Sequence, residues 1–280
     1  MTALHHNHKV QNILADAVDS SHVDEFFGWL RTKTNQDGVP ISPATYNHYV
    51  KANKALFNWI IDRGNYDIKN PFRNISFAED RHDPRAFSET EITTLLGAIT
   101  VENGKGTKGK AKVRTLNYYR PWLKDFIMAA VLTGARLSEL LQIRCHHVNL
   151  EGSYIRVPLS RKSGKMYDDV PISRDMASLL QKIKLDPTSD DYLFVPGYAN
   201  RKSLGQLISH AFTHYRRVAG LDDAFSFHTC RSTYVTMMFN LIGEEALTLK
   251  HGKDIAIRHY LEQRQQAKKF STIKMLSFEV

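Results

Sequence analysis

Apolar residues recur at helical spacing along almost the whole of this 280-residue chain, and the pattern breaks toward alternation around a single turn signal. Tyr154, Ile155, Val157 and Leu159 lead into Ser163-Gly164, and Tyr167, Val170 and Ile172 lead out of it. A period of 3.6 builds helices that bury one stripe, and a period of 2 builds strands that bury one face. The pattern therefore predicts a mainly α protein with a small antiparallel β-sheet, the sheet being a hairpin with a basic tip. In the first 80 residues one helix carries Val23, Phe26, Phe27 and Leu30, with Ser20 and Ser21 as its caps. A longer one runs from Ser42-Pro43 to Gly64. Residues 69–84 (KNPFRNISFAEDRHDP) lack periodicity and read as a linker, which divides the chain into domains at 1–80 and 85–280. The second domain opens on a capping box, Ser88 with Glu91, ahead of Ile92, Leu95 and Leu96. An apolar helix from Pro121 to Gly134 and a short one with Leu137, Leu140, Leu141 and Ile143 precede the hairpin. Helices near 173–184, 203–219, 228–241, 254–261 and 264–276 follow it.

Composition narrows the class. With 42% hydrophobic residues the chain has enough apolar side chain for a core, and Cys145 and Cys230 are too few for a disulfide framework or a four-cysteine zinc site. No apolar run approaches the roughly 18 residues of a membrane span, and the start with His5, His6 and His8 is unlike a signal peptide. A soluble, cytoplasmic protein with no membrane partner is expected. The formal charge is +9, but residues 1–80 hold 8 Lys+Arg against 9 Asp+Glu, so the excess lies downstream. Its densest stretch is Lys105, Lys108, Lys110, Lys112, Arg114, Arg120 and Lys124, with no acid among them. Clustered cations release counterions from a polyanion, so this stretch reads either as a nucleic-acid contact or as a solvated Gly/Lys loop.

Four short motifs in the second domain carry chemistry: Thr133-Gly-Ala-Arg136-Leu-Ser-Glu139, Arg161-Lys162-Ser-Gly-Lys165, His228-Thr-Cys-Arg231, and His251 followed nine residues later by Tyr260. Each has a plain structural alternative: Arg136 with Glu139 a surface ion pair, His228 with Arg231 an unrelated pair on one helix face. Taken together, two arginines, a lysine, two histidines and a tyrosine suit phosphoryl transfer on a phosphodiester. Forked guanidinium groups match the non-bridging oxygens, a neutral His takes the nucleophile's proton, and a Lys protonates the leaving oxygen. Such chemistry requires no metal and no cofactor. Cys145 and Cys230 read as small buried residues, and His146 and His147 as exposed or capping. Arg216 and Arg217 read either as phosphate contacts or as a solvated helix face.

The order and spacing of these motifs resemble the tyrosine recombinases, or phage integrases. Arg136 lies 26 residues before Lys162, Lys162 lies 66 before His228, Arg231 follows His228 by 3, His251 follows Arg231 by 20, and Tyr260 follows by 9. The N-terminal FFGWLRTK, SPATYNHYVKANKALFNWIIDRG and NPF are similar to the family's helical core-binding (SAM-like) domain. The resemblance implies a site-specific DNA recombinase acting on duplex recombination sites, in which Tyr260 attacks the scissile phosphate to give a 3′-phosphotyrosyl link and a free 5′-hydroxyl. In that scheme Arg136 and Arg231 hold phosphate oxygens, Lys162 protonates the 5′ oxygen, His228 is general base toward Tyr260, and His251 hydrogen-bonds the phosphate. Lys165 stands near Lys162 as a DNA contact, beside Lys105, Lys108, Lys110 and Lys112 and, on the long N-terminal helix, Lys51 and Lys54. The resemblance further implies a homotetramer on paired DNA sites, docked through a tail with Phe270, Ile273, Leu276 and Phe278, and accessory DNA-bending or directionality factors in a nucleoid setting. Two departures from the pattern stand out: Lys250 occupies the usual Gly position and His147 the usual Asp position. A type IB topoisomerase-like nicking-resealing enzyme and a non-catalytic DNA-binding regulator remain as rival readings.

Overall fold

In the computed structural model, which describes residues 14–34, 38–79, 85–108, 114–159 and 166–243, the chain divides into two units, Met1–His82 and Asp83–Val280. Helix α1 (Ser20–Thr32) of the first unit is capped by Asp19, whose carboxylate accepts the N–H groups of Ser21 at 3.0 Å and His22 at 3.2 Å. The cap is thus Asp19 and not Ser20 or Ser21, because an ionised carboxylate takes orphan helix N–H groups more strongly than a hydroxyl. The Ser21 hydroxyl, the His22 N–H and the His22 ring hold its carboxyl far below the usual range. Helix α2 (Pro43–Gly64) begins at Ser42, whose hydroxyl accepts the Thr45 N–H, and stops where Asn65 turns left-handed at φ 54°. Val23, Phe26, Phe27 and Leu30 of α1 pack with Tyr46, Val50 and Phe57 of α2 and with Phe72.

Phe72 corrects the expected linker. Residues 70–78 belong to the first unit: buried Asn70 donates to the Lys54 carbonyl at 2.9 Å and to Asn58 Oδ1 at 2.6 Å, and its own Oδ1 accepts the Phe72 N–H at 2.9 Å. Asn47 clasps both the N–H and the carbonyl of Ala78. Aperiodic sequence here is backbone stitched to α2 by side-chain amides, which leaves no hydrophobic period to read.

The second unit is organised around α4 (Leu123–Thr133), buried on nearly every side. It packs against α6 (Arg174–Lys182) and α8 (Thr229–Ile242), while α3 (Glu89–Ala98) packs against α7 (Arg201–Val218) and the short α5 (Leu137–Leu140) follows the turn at Gly134. The reciprocal Ser88–Glu91 capping box starts α3. A three-stranded antiparallel sheet, β3 (Val148–Asn149), β4 (Tyr154–Pro158) and β5 (Tyr167–Pro171), pairs Ile155 with Val170 and Pro158 with Tyr167. Its buried residues Ile155, Val157 and Val170 join the main core, and β4 rests on α5. The turn with Ser163-Gly164 and the expected helices near 254–261 and 264–276 lie outside the described residues.

A second sheet was not expected. Part of the stretch read as a basic loop is an antiparallel hairpin of β1 (Lys105–Lys108) and β2 (Arg114–Asn117), with Lys105 opposite Asn117 and Lys108 opposite Arg114. Its base is fastened by tertiary contacts: Tyr118 donates its N–H to the Gly104 carbonyl at 2.8 Å and stacks on His214 of α7 at 4.4 Å, and His214 Nε2 donates to the Asn103 carbonyl at 2.6 Å. Gly106 permits that approach, since a Cβ there would lie 2.6 Å from the Tyr118 ring. Among the described residues no helix is long and apolar enough to cross a membrane.

Candidate active site

The site begins where α4 ends. Thr133 Oγ1 donates to the Ala129 carbonyl at 2.7 Å and accepts the Ala135 N–H at 3.3 Å, and Gly134 turns the chain in the left-handed conformation at φ 59°. No other residue fits: a Cβ on Gly134 would meet the Tyr234 ring at 2.4 Å. Tyr234 is buried in the core, and burial pushes its phenol up to about 12. The turn delivers Arg136 to the start of α5 with its side chain 42% exposed.

One carboxylate braces the two arginines. Glu139, nearly inaccessible, accepts the Arg136 N–H on Oε2 at 2.9 Å and the Arg136 guanidinium on Oε1 at 2.7 Å. Arg231, buried in the first turn of α8, donates to the Gly134 carbonyl at 2.7 Å and lies 4.0 Å from Glu139 Oε2. Burial alone would raise the Glu139 carboxyl. The Arg136 N–H and guanidinium, helped by the Arg231 charge, outweigh it and hold the carboxyl below the ordinary range. The i,i+3 spacing of Arg136 and Glu139 is legible as a pair, but the tie from Arg231 spans 97 positions to Gly134 and has no local signal.

His228 stands at the N-cap of α8, and with Arg136 it lines a cleft of about 330 Å3 that Ser209, Thr213, Arg216 and Ser226 help to wall. Arg231 lies one helical turn beyond His228, behind the cleft and not among its lining residues. The described part of the site is therefore an open guanidinium and an imidazole facing one space, with a second guanidinium and a carboxylate fixed beneath. A positive helix N-terminus joins them, so the space suits an anion. Lys162 and Lys165, His251 and Tyr260, and Lys110 and Lys112, lie outside the described residues. Strands β4 and β5, which flank 160–165, are attached through β4 to the helix that Arg136 starts.

Other candidates fall out differently from the reading of the sequence. Arg216 is not part of a solvated face: it is buried and bonded to the carbonyls of Asp223 and Phe225, while Arg217 is exposed. Lys54 points its ammonium at the Ile75 carbonyl, 2.9 Å away, and over the Phe77 ring at 5.1 Å, so it clamps its own unit, whereas Lys51 is exposed. Lys105 is exposed, and Lys108 ends β1. Cys230 is buried and Cys145 half-buried. His147 caps the turn after Arg144 by accepting its N–H at 3.1 Å. The sequence did not single out Arg201, whose buried guanidinium donates to the carbonyls of Leu141, Phe194, Val195 and Tyr198 and pins the start of α7. Among the described residues no group of three or more His, Cys, Asp or Glu side chains could hold a metal ion.

Comparison with known proteins gives the same frame. Tyrosine recombinase XerD of Pseudomonas putida is 24% identical over 181 residues, which cover 62% of this chain and 51% of XerD, so the chain spans about half the length of the curated relative it matches. A lambda integrase tetramer solved on a Holliday junction superposes with a TM-score of 0.61 at 16% identity, covering 84% of this chain and 64% of that one. The Tn1549 transposon integrase solved with transposon right end DNA does so with a TM-score of 0.61 at 19% identity, covering 96% and 90%. At these identities the likeness is one of fold. The model of the phage integrase family matches residues 91–242, more than half the chain, from the first turn of α3 to the end of α8 and so across Arg136, Glu139, His228 and Arg231, and the chain belongs to that family.

Proposed function

We propose that the protein is a site-specific DNA recombinase that cleaves and rejoins strands through a 3′-phosphotyrosyl intermediate on Tyr260. The observation that carries this reading is the pairing of Arg136 with His228 across one cleft, with Arg231 and Glu139 locked behind Arg136. In this scheme Arg136 takes a non-bridging oxygen of the scissile phosphate from the open side, and Arg231 adds its charge from beneath. Both stabilise the added negative charge of the five-coordinate transition state. His228 receives the Tyr260 proton as the phenolic oxygen bonds to phosphorus and the bond to the 5′ oxygen breaks. Lys162 returns a proton to that 5′ oxygen, and His251 donates a hydrogen bond to the phosphate. The phosphotyrosine retains the bond's free energy, so a second 5′-hydroxyl reverses the attack with no nucleotide consumed.

The DNA partner, the tetramer on paired sites and the assignment of the first unit as a core-binding domain belong to the same proposal, supported by the solved relatives on DNA. So does contact of Lys105, Lys108, Lys110 and Lys112, of Lys165 and of Lys51 with DNA phosphates. Accessory factors and a nucleoid location complete it. The test is a duplex with a nick just 3′ of the cleavage site, which traps the covalent complex. Wild-type protein should give a protein–DNA adduct stable to denaturant and Tyr260→Phe should give none. An adduct that survives in Tyr260→Phe sinks the assignment, and its absence in both leaves only DNA binding.

A further inference from the structure

Arg216 takes no part in the chemistry proposed above, yet it lies where the chain turns back to deliver His228. It occupies the last turn of α7 and is 7% exposed. Its Nη1 donates to the Asp223 carbonyl at 2.6 Å and to the Phe225 carbonyl at 2.7 Å, and its Nη2 pairs with the Asp223 carboxylate. The Leu221 N–H closes the ring by donating to the Arg216 carbonyl at 3.0 Å. Residues 221–225 are therefore wrapped around one cationic head. Three residues past Phe225 the chain reaches His228, with Phe227 buried and the Ser226 N–H bonded to Thr229 Oγ1 at 3.0 Å. Arg216, His228 and Arg136 wall the same cleft.

The Nε of Arg216 is buried with no hydrogen-bond partner, so its hydrogen bonds all run through the two Nη groups to the loop. A cation out of water is strongly disfavoured away from its partners, which makes the loop's position follow the guanidinium's. A guanidinium is a rigid planar fork, so two carbonyls gripped by one nitrogen and a carboxylate by the next leave the loop little freedom.

We propose that Arg216 is a positioning residue for the proton transfer: through the Asp223–Phe227 segment it holds His228 at the cleft wall opposite Arg136. This rests on the reading of His228 as the proton acceptor for Tyr260. It predicts that loosening the latch slows strand cleavage without weakening DNA binding, and that the loss vanishes once His228 is gone.

The experiment uses the full chain in single-turnover cleavage of the nicked duplex, with DNA affinity measured by gel shift and folding by thermal melting. The variants are Arg216→Lys, Asp223→Ala, His228→Asn and each latch variant combined with His228→Asn. Lys keeps the charge and loses the fork. Asp223 carries an exposed carboxylate, 83% accessible, so its removal keeps the fold even where the Lys variant melts early. The expected result is a fall in cleavage rate of about 10-fold for Arg216→Lys and about 3-fold for Asp223→Ala, Kd unchanged within about 2-fold, and double variants no slower than His228→Asn alone. Wild-type cleavage in both latch variants, losses that multiply with that of His228→Asn, or losses that appear in Kd overturn the proposal. Wild-type cleavage by His228→Asn overturns the reading of His228 itself, a separate and distinguishable failure.

Discussion

Glu139 holds two cations on one carboxylate, and its titration ties the site to the stability of the fold. Its folded carboxyl lies below the ordinary value of 4.5, since the bonds from Arg136 and the charge of Arg231 outweigh burial. Because the folded value is the lower one, the stabilisation is complete above pH 4.5 and is lost as pH falls through the folded value. Glu139→Gln removes the charge and leaves Arg231 buried beside a neutral amide, at a cost of about 3 kcal/mol at pH 7. Urea unfolding at pH 7 and again below pH 4 should show that difference shrinking with acid. A difference that stays constant would mean that the ionised carboxylate is not its source. Half of this was legible in the sequence. Glu139 three residues after Arg136 announces a brace, but that Arg231 docks on the Gly134 carbonyl and that Tyr234 fills the space a Gly134 side chain would need are long-range facts.

At the scale of elements, helices with strong apolar stripes and capping residues were the readable ones. Ser42-Pro43 and the Ser88–Glu91 box sit at real helix starts. The β1–β2 hairpin was not readable: KGTK and RTLN are short, polar and without alternation. Their pairing depends on Tyr118 stacking on a histidine of α7 and on a glycine that admits the stack. Its consequence is that Lys105, Lys108 and Arg114 sit on paired strands whose base is anchored to α7. If Lys105 and Lys108 each meet one phosphate, converting both to Gln lowers the slope of log K against log salt by about 1.8 for duplex DNA, at roughly 0.9 per contact. Gel shifts or fluorescence anisotropy over a salt series measure it, and an unchanged slope removes the hairpin from the interface. Lys54 shows the converse, a cation on an apparently basic helix face whose charge is already engaged by Ile75 and Phe77.

Two cores divide the whole molecule. Among the described residues the first gathers eight buried apolar residues around Phe27 and Phe72, and the second gathers the large set around α4. The smaller core removes less apolar surface from water and gives its unit the lower stability. Trp29 packs on the first core, Trp59 is exposed on α2, and Trp122 packs on the second. In Trp122→Phe the tryptophan fluorescence therefore reports the first unit alone. It should change at lower urea than the far-ultraviolet circular dichroism, to which the larger unit contributes most; coincident transitions would show one cooperative block. By itself the sequence determined the helical class, the β4–β5 hairpin and the ordered set from Arg136 to Tyr260, because periodicity, caps and spacing are written locally. Only the tertiary structure decided that Glu139 serves both arginines, that Arg216 is a buried latch, that residues 70–78 belong to the first core and that part of the basic stretch is paired strand. Each of these depends on which backbone carbonyl, amide or ring fills a space, and no apolar period or capping pattern announces it.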